Sequence, residues 1–389
     1  MSEAKVIVDI FDTTLRDGAQ ALPEGHQFPD NKKPTIASHI ARLGASIIEA
    51  GFPATAGDGE EVAAVARDVG NTAYVVDTWR DGIKTGTVHR TPTIVGLSRV
   101  TEKDIEATWD AVKVAASPRI HTFISTDAAH MAAKFAGKTP AGVLEMGRRG
   151  IRHAKDVSNG APTEFSLEAA STTDLQYACT TTKMSVDEGV DVIRFPDTIG
   201  KRKPIWMYNA FKRYIGWVHA INPDVVIAAH NHNDGAMASA NSLMAVHAAA
   251  DYAKENETTV RIQIDTTICG VGERAGNADV FPVVQGLFDY GNEGELAVPI
   301  EWQFNPGYSV YTARTVLRFA GLEVHPKNPV VGDDINKHRS GIHSNGILKG
   351  DFSIYTPFDP TFWGHAQQAV HEDGKYQGKA GREAAHSRV

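Results

Sequence analysis

The segment KVIVDIFD (Lys5–Asp12), followed at once by TTLRD (Thr13–Asp17), decides between the two folds that the rest of the chain allows. Its β-branched, apolar run predicts a buried strand. An open, doubly wound sheet usually carries a glycine-rich turn after its first strand, whereas Thr13–Asp17 contains no glycine. The segment therefore favours a closed barrel of parallel strands over the open sheet.

Similar apolar runs recur along the chain, separated by stretches with helical character. The predicted strands are Lys5–Asp12, Ser46–Phe52, Thr93–Ser98, Arg119–Thr126, Thr163–Leu167, Val190–Phe195, Val225–His230 and Val260–Asp265. The predicted helices include Lys33–Leu43, Glu102–Ala116, Leu167–Glu188, Lys203–Ile221 and Ala236–Tyr252. Strands that alternate with helices form parallel βαβ units, and eight units over roughly 270 residues match an α/β fold of the (β/α)₈ TIM-barrel type.

Two regions depart from this rhythm. Asn71–Thr91 is predicted to be an inserted hairpin or long loop before the third barrel strand, on the face away from the chemistry. Near the chain end, short helices punctuated by prolines replace the βα units, for example Tyr308–Ala320 and His338–Leu348. We therefore predict a barrel domain over residues 1–290 and a small, mostly helical C-terminal region over residues 291–389 that contributes to the active site.

Composition excludes several classes of function. The 389 residues include 39 Lys and Arg against 47 Asp and Glu, a net charge of −8, which disfavours a nucleic-acid partner. No apolar run reaches the ~18 residues that a membrane span needs, and the N-terminus lacks a secretory pattern. Two cysteines, Cys179 and Cys269, are too few for a disulfide framework. These features predict a cytoplasmic enzyme or binding module.

The predicted strand ends carry a candidate metal site. His230 and His232 end the seventh strand, and residues i and i+2 of a strand face the same side, so both imidazoles can reach one ion. Asp12 and Asp17 lie at the end of the first strand, and a carboxylate with two imidazoles suits Mn²⁺, Mg²⁺, Zn²⁺ or Co²⁺. Asp12 could instead cap the turn, or orient a metal ligand without binding the ion itself. Arg16 could form a salt bridge with an aspartate or face negative charge developing on a carbonyl oxygen.

Three strings together resemble the isopropylmalate/homocitrate synthase family of metal-dependent barrel enzymes. They are DTTLRDG (Asp12–Gly18), HNHND (His230–Asp234) and GERAGN (Gly272–Asn277). Supporting strings are EAGFP (Glu49–Pro53), HTFIST (His121–Thr126), PDTIG (Pro196–Gly200) and SGIH (Ser340–His343). The resemblance implies that acetyl-CoA condenses with a 2-oxo acid and that the thioester is then hydrolysed, giving a 2-substituted malate and CoA.

The resemblance also implies roles for individual residues. It assigns the divalent metal ligands to Asp17, His230 and His232, with Asn277 as a further or water-bridged ligand. It assigns the catalytic groups to Arg16, Glu164 and His343. Arg16 would stabilise an oxyanion, while Glu164 and His343 would act as acid or base. Thr198 and His121 would bind the 2-oxo acid. In relatives the histidine comes from a neighbouring subunit, which implies a homodimer; alternatively, His343 caps a short helix.

The chain departs from the family pattern at several points. Ala19 stands where a glutamate is usual, and Cys269 where an asparagine is common. The Asn71–Thr91 segment is extra. GKAGR (Gly378–Arg382) resembles a family string, but the chain ends soon after it, so we expect no C-terminal regulatory domain and no amino-acid feedback inhibition of the type such a domain confers.

The sequence leaves the choice of 2-oxo acid open. Arg194 shares the inward face of its strand with Thr198, and a buried arginine is costly without a partner. One interpretation is a substrate with an extra anionic group, such as phosphonopyruvate, 2-oxoglutarate or oxaloacetate. The other is that Arg194 pairs with a barrel carboxylate, with Lys201–Lys203 binding CoA phosphates or solvating the rim. A 2-isopropylmalate synthase using 2-oxoisovalerate is the alternative enzyme.

Two further functions compete with the synthase. A carbon–carbon lyase or aldolase of the same superfamily is the first, although hydroxymethylglutaryl-CoA lyases carry a cysteine-containing glycine loop after strand eight, where this chain has GERAGN (Gly272–Asn277). A non-catalytic metal-binding scaffold is the second. Arg16, Glu164 and His343 together count against the scaffold.

Overall fold

The computed structural model describes residues 3–371, so the predicted GKAGR string and the polar chain end lie outside the described residues. The strands are β1 Lys5–Asp12, β2 Ile47–Gly51, β3 Tyr74–Arg80, β4 Ile83–Arg90, β5 Thr93–Arg99, β6 Pro118–Ser125, β7 Thr163–Glu168, β8 Val192–Asp197, β9 Val226–Asn231, β10 Thr259–Thr266, β11 Ile300–Gln303, β12 Lys337–His338 and β13 Val370–His371. The helices are α1 Lys33–Leu43, α2 Asp58–Asp68, α3 Glu102–Val112, α4 Ala128–Lys134, α5 Pro140–Val157, α6 Leu175–Asp187, α7 Pro204–His219, α8 Ala238–Glu255, α9 Val280–Glu293, α10 Ser309–Phe319 and α11 Gly341–Lys349. Over this range no helix combines the length and apolar character of a membrane span.

Eight parallel strands close into a barrel within residues 3–371. The hydrogen-bonded order is β1, β2, β5, β6, β7, β8, β9 and β10, and β10 pairs back onto β1 along its whole length, from Lys5 opposite Thr259 to Asp12 opposite Thr266. The predicted (β/α)₈ barrel is confirmed. Each predicted strand agrees with an observed one to within about two residues at either end, because apolar periodicity marks buried parallel strands clearly.

The apolar core lies between the strands and the surrounding helices. Alternate residues of β1, Val6, Val8 and Ile10, are fully or almost fully buried in this outer layer. The side chains that face the barrel axis are largely polar instead. Buried inward-facing members of this polar interior are Asp9, Glu49, His121, Glu164, Arg194, Gln263 and Asp265. The barrel axis therefore holds a charged network, which leads up to the strand ends.

One predicted helix begins later than its sequence suggests. Leu167–Glu188 was expected to be helical, but β7 continues to Glu168 and the helix spans Leu175–Asp187. Ala169 adopts a left-handed backbone conformation with a φ of 62°, so the backbone changes direction between the strand and the helix. Asp174 then accepts hydrogen bonds from backbone N–H groups of the first turn, as an N-cap does.

The inserted segment forms a hairpin at the N-terminal end of the barrel. β3 and β4 pair antiparallel, and β3 also pairs with β11. β11 in turn lies parallel to the first residues of β1, at Val6 and Ile7. The hairpin form predicted for Asn71–Thr91 is confirmed, and its attachment to the beginning of β1 places it away from the strand ends that carry the site.

The C-terminal region packs against the barrel through aromatic side chains. Trp363 is completely buried, with its ring 5.9 Å from that of Phe288 and 6.2 Å from that of Phe304. Short helices dominate the described part of this region. Because β11 belongs to the barrel sheet, residues just beyond 290 are continuous with the barrel, and the domain boundary stays a prediction.

Candidate metal centre and active site

Three predicted metal ligands converge at the C-terminal ends of the barrel strands. Asp17 lies on a short π-helical turn, Thr14–Gly18, directly after β1, while His230 and His232 lie at the end of β9. His230 Nε2 is 3.1 Å from His232 Nε2 and 3.5 Å from Asp17 Oδ2. One ligand atom from each residue lies within 4.8 Å of the others, and all three residues are buried.

Asn277 completes this group from the loop after β10. Its Nδ2 donates to Asp17 Oδ2 at 2.5 Å, and its Oδ1 is buried without a hydrogen-bond partner among residues 3–371. An unpaired buried carbonyl oxygen beside a carboxylate and two imidazoles suits a cation. Two glycines of the loop are required, for different reasons. A Cβ at Gly272 would lie 2.5 Å from Asn277 Oδ1, and Gly276 has a φ of 96°, which side chains other than hydrogen disfavour.

The protonation states of this group also suit a cation. Burial lowers the pKa of His230 to about 4 and that of His232 to about 3, so both rings are neutral near pH 7 and offer lone pairs. Burial disfavours ionisation of Asp17, but the Arg16 guanidinium and the two imidazoles outweigh it and lower its pKa to about 2. The residues present therefore fit a divalent metal ion with mixed oxygen and nitrogen ligands.

Asp12 does not belong to this ligand group. Its Oδ1 accepts from Thr14 N at 2.9 Å and its Oδ2 accepts from the Thr14 hydroxyl at 3.1 Å. Asp12 thus caps the turn that carries Arg16 and Asp17, in agreement with the capping alternative.

Arg16 faces the same centre and is held by two carboxylates. Its Nε donates to Glu49 Oε2 at 2.6 Å, and its Nη1 lies 2.9 Å from Asp17 Oδ1. Glu49, at 0% exposure, also accepts from the Thr13 hydroxyl at 2.7 Å and pairs with His121 Nδ1 at 2.6 Å. Glu49 therefore orients Arg16. The sequence did not indicate this role, although Glu49 begins the EAGFP string.

A cavity of about 300 Å³ opens beside Arg16 and the metal ligands. Its lining residues are Arg16, Asp17, Gln20, Phe52, Leu97, His121, Phe123, Ser166, Glu168, Arg194, Pro196, Thr198, His230, His232, Glu273 and Arg274. Its apolar lining residues are Phe52, Leu97, Phe123 and Pro196. A larger cavity of about 680 Å³ adjoins it, and the two share Arg16, Gln20 and Phe52.

The two glutamates of β7 occupy different levels of the barrel. Glu164 is absent from the described lining residues; it lies inside the barrel, with Oε1 2.6 Å from Arg194 Nη2 and Oε2 3.2 Å from Arg119 Nη1. Glu168 lines the cavity and contacts the Ser125 hydroxyl. Four residues of strand separate the two by ~13 Å. The structure thus places the predicted acid/base Glu164 below the cavity, where its catalytic role stays a prediction, and it places Glu168, which sequence reasoning did not single out, at the cavity.

Arg194 lies in a neutralising environment. Its Nε is 2.9 Å from Asp265 Oδ2, its Nη2 is 2.6 Å from Glu164 Oε1, and the side chain is only 2% exposed. Neither contact has the alignment of a hydrogen bond, so they act mainly through charge. The structure agrees with the alternative in which Arg194 pairs with barrel carboxylates. Because Arg194 has two such partners, it gives no support for a substrate with an additional anionic group.

The remaining predicted substrate residues lie at the cavity. Thr198 Oγ1 accepts from Ala169 N at 3.0 Å. His121 Nε2 is 2.6 Å from Ser166 Oγ, and burial together with the nearby Arg194 lowers the pKa of His121. Ser166 is a second lining residue that the sequence did not single out.

The basic loop after β8 is only partly available to a ligand. Arg202 donates to the Ser171 carbonyl at 2.8 Å and stacks 4.2 Å from the Trp206 ring, while Lys201 and Lys203 are exposed. These three residues are absent from the lining of the 300 Å³ cavity as described over residues 3–371. A role for the two lysines in binding CoA phosphates stays a prediction.

His343 lies apart from the centre in this chain. It sits on α11, exposed, with its ring stacked on Tyr355 at 4.0 Å between centroids. It is not among the described cavity residues. Its delivery from a neighbouring subunit, and the homodimer which that requires, stay predictions.

Comparison with known proteins gives relatives over most of the chain. The HMGL-like family model matches residues 7–297. The 2-isopropylmalate synthase of Pyrococcus furiosus is 36% identical over 376 residues, which is 96% of this chain and 66% of that protein. Methylthioalkylmalate synthase 1 of Arabidopsis thaliana is 35% identical, over 90% of this chain and 64% of that protein. The chain spans 51% to 66% of the length of the first such relatives.

Solved structures share the fold at lower identity. The HMG-CoA lyase from Brucella melitensis matches with a TM-score of 0.55 and 21% identity, over 80% of this chain and 97% of that one. The carboxyl transferase domain of Rhizobium etli pyruvate carboxylase matches with a TM-score of 0.54 and 16% identity, over 83% and 49%. At these identities the likeness concerns the fold alone.

Proposed function

The chain belongs to the HMGL-like family, and its resemblance to the isopropylmalate/homocitrate synthases is confirmed; from this premise we propose that it condenses acetyl-CoA with a 2-oxo acid. In this reaction the acetyl methyl group loses a proton and forms a bond to the keto carbon. Water then cleaves the thioester, releasing CoA and a 2-substituted malate. One observation carries the proposal: the candidate cation ligands, Arg16 and several apolar side chains line one cavity of about 300 Å³.

A divalent metal ion held by Asp17, His230 and His232 would supply Lewis-acid polarisation of the keto group. Beside it, Arg16 stabilises the negative charge that develops on the keto oxygen as the new bond forms. Its two carboxylate contacts fix the guanidinium in place, so little reorganisation is needed at the moment of reaction.

The other cavity residues bind substrate and move protons. Thr198 accepts a backbone hydrogen bond through its oxygen, which leaves its own O–H free to donate to the substrate carboxylate. Glu168 takes the proton-transfer role predicted for Glu164, because Glu168 is the one that lines the cavity. An acetyl thioester entering from the adjoining 680 Å³ cavity would meet the 2-oxo acid beside Arg16.

We propose 2-oxoisovalerate as the 2-oxo acid, which makes the reaction that of a 2-isopropylmalate synthase. Leu97, Phe123 and Phe52 suit a branched aliphatic side chain, since apolar surface is buried favourably against them. The neutralised Arg194 gives an extra anionic group no free partner. Relatives named as 2-isopropylmalate synthases support the same choice. For the lyase alternative, the HMG-CoA lyase structure matches at 21% identity, which is a likeness in fold.

The test is release of CoA thiol from acetyl-CoA with a panel of 2-oxo acids, in Mn²⁺ or Mg²⁺ and in chelator. We expect release with 2-oxoisovalerate, loss of release in chelator, and much weaker release with 2-oxoglutarate, oxaloacetate or phosphonopyruvate. His230→Ala should abolish metal-dependent release, whereas His89→Ala, on the distant hairpin strand β4, should not. No release with any panel member would refute the synthase proposal, and release with 2-oxoglutarate alone would refute the aliphatic substrate.

A further inference from the structure

His230 is tied to the barrel interior through its second ring nitrogen. Its Nε2 faces Asp17 and His232, and its Nδ1 lies 3.0 Å from Asp265 Oδ2. The same Asp265 oxygen lies 2.9 Å from Arg194 Nε. Both Asp265 and Arg194 are 2% exposed, so neither has solvent as an alternative partner.

Arg194 is itself fixed from two further sides. Its Nη2 lies 2.6 Å from Glu164 Oε1, and its guanidinium carbon lies 4.3 Å from the centre of the Phe11 ring. Moving this guanidinium toward a substrate would separate it from two buried carboxylates. That separation is costly in a buried environment, because Glu164 would lose one of its two arginine partners and Asp265 would lose its arginine contact.

We infer that Arg194 is a positioning residue, which holds Asp265 so that its carboxylate orients the His230 ring with Nε2 toward Asp17 and His232. The inference rests on the proposed function only in requiring a divalent cation at these residues. Carboxylate partners of a metal-binding histidine fix the ring orientation and the tautomer, and their loss typically weakens metal binding by ~10–100-fold. Arg194, which also lines the cavity, is thereby assigned a role at the metal centre and not in substrate binding.

The test is calorimetric titration of the metal-free protein with Mn²⁺, with Arg194→Met, Asp265→Asn and the double variant. Each single substitution is expected to raise the Mn²⁺ dissociation constant by about 10-fold or more. Because Arg194 acts through Asp265, the double variant should bind Mn²⁺ about as weakly as Asp265→Asn alone. A double variant whose loss is the product of the two single losses would overturn the inference.

Arg119→Met is the matched control, since Arg119 also pairs with Glu164 while its described polar contacts do not include Asp265. It should leave Mn²⁺ affinity unchanged; an equal loss would assign the effect to core charge in general and overturn the inference. If Arg194→Met fails to fold, Glu164→Gln/Arg194→Met removes the unpaired carboxylate and is titrated instead.

Kinetics separates the positioning role from a substrate-binding role. A rise in KM for the 2-oxo acid with unchanged Mn²⁺ affinity in Arg194→Met would overturn the inference in favour of substrate contact. Mn²⁺ binding needs no turnover, so an unmodified protein that binds Mn²⁺ and releases no CoA would refute the proposed function alone. Absence of Mn²⁺ binding by the unmodified protein would contradict both.

Discussion

Exchanging each of the two β7 glutamates for glutamine tests whether Glu168 is the catalytic carboxylate, as we propose, and Glu164 a structural one. Glu168→Gln removes a proton acceptor from the cavity wall but retains a side chain of nearly the same size. Glu164→Gln removes a negative charge from the barrel interior, where Arg194 and Arg119 both contact it. The first substitution should affect turnover, and the second should affect stability.

The expected magnitudes differ accordingly. Loss of a positioned acid or base lowers kcat by ~10²–10⁴-fold, which we expect for Glu168→Gln with little change in Tm. Glu164 is completely buried, and removing one partner of a buried ion pair costs ~3–5 kcal/mol. With an unfolding entropy of ~0.8 kcal/mol/K for 389 residues, that cost lowers Tm by ~4–6 °C.

Both variants are measured by CoA thiol release under saturating 2-oxoisovalerate and by thermal unfolding followed with circular dichroism. The activity of Glu164→Gln is compared at a temperature well below its Tm, so that only folded protein contributes. If Glu164→Gln were the variant that lost 10²-fold or more in kcat while Glu168→Gln turned over normally, the reassignment of the catalytic carboxylate would be refuted.

Three other substitutions test separate parts of the structure. Burial raises the pKa of Asp12 to about 7, above its unfolded value near 3.8, so the folded protein loses stability as pH rises from about 4 to about 7. Asp12→Asn should therefore raise the free energy of unfolding, measured by denaturant titration, by up to ~4 kcal/mol at pH 8 and by much less at pH 4. An equal gain at both pH values would contradict a buried negative charge at Asp12. Leu97→Ala enlarges the apolar side of the cavity and should shift the kcat/KM ratio toward 2-oxoisocaproate over 2-oxoisovalerate by ~10-fold or more; an unchanged ratio would remove Leu97 from the substrate wall. Gly276→Ala forces a Cβ to within 2.1 Å of the Gly270 carbonyl oxygen, so the Asn277 loop must shift; Mn²⁺ affinity should fall by ~10-fold or more, and unaltered calorimetric affinity would show that the loop does not support the site.

Much of the barrel could be predicted from the sequence because its strands are buried on both faces. β1 was predicted with its observed bounds, Lys5–Asp12, since the apolar run begins and ends sharply. The start of α6 could not be predicted in this way. Its beginning depends on a left-handed residue, Ala169, and on the cap Asp174, and the apolar pattern of the segment contains neither signal.

The convergence of the candidate metal ligands could be predicted because strand periodicity and strand ends fix where these side chains point. His230 and His232 are two residues apart on β9, and Asp17 follows β1, so the barrel geometry brings them together. The same rule should have favoured Glu168 over Glu164, because Glu168 ends β7 and functional side chains gather at strand ends.

The partners of Arg194 could not be predicted from the sequence. Its inward direction was predictable from the period of β8, but its partners come from β7 and β10, which lie far away along the chain. Whether a buried arginine faces a substrate or a protein carboxylate depends on three-dimensional pairing. For that reason the sequence allowed a 2-oxo acid with an extra anionic group, whereas the contacts of Arg194 in the structure do not support one.

Metal-dependent carbon–carbon bond formation between acetyl-CoA and an aliphatic 2-oxo acid is the reaction that we propose for the cavity beside Arg16 and His230. It is tested most directly by incubating the protein with 2-oxoisovalerate and acetyl-CoA labelled with ¹³C in both acetyl carbons, and by analysing the products by mass spectrometry. We predict 2-isopropylmalate carrying both labelled carbons in the presence of Mn²⁺ or Mg²⁺ and none of it in chelator. Recovery of unchanged 2-oxoisovalerate, with labelled acetate as the sole labelled product under both conditions, would contradict the claim.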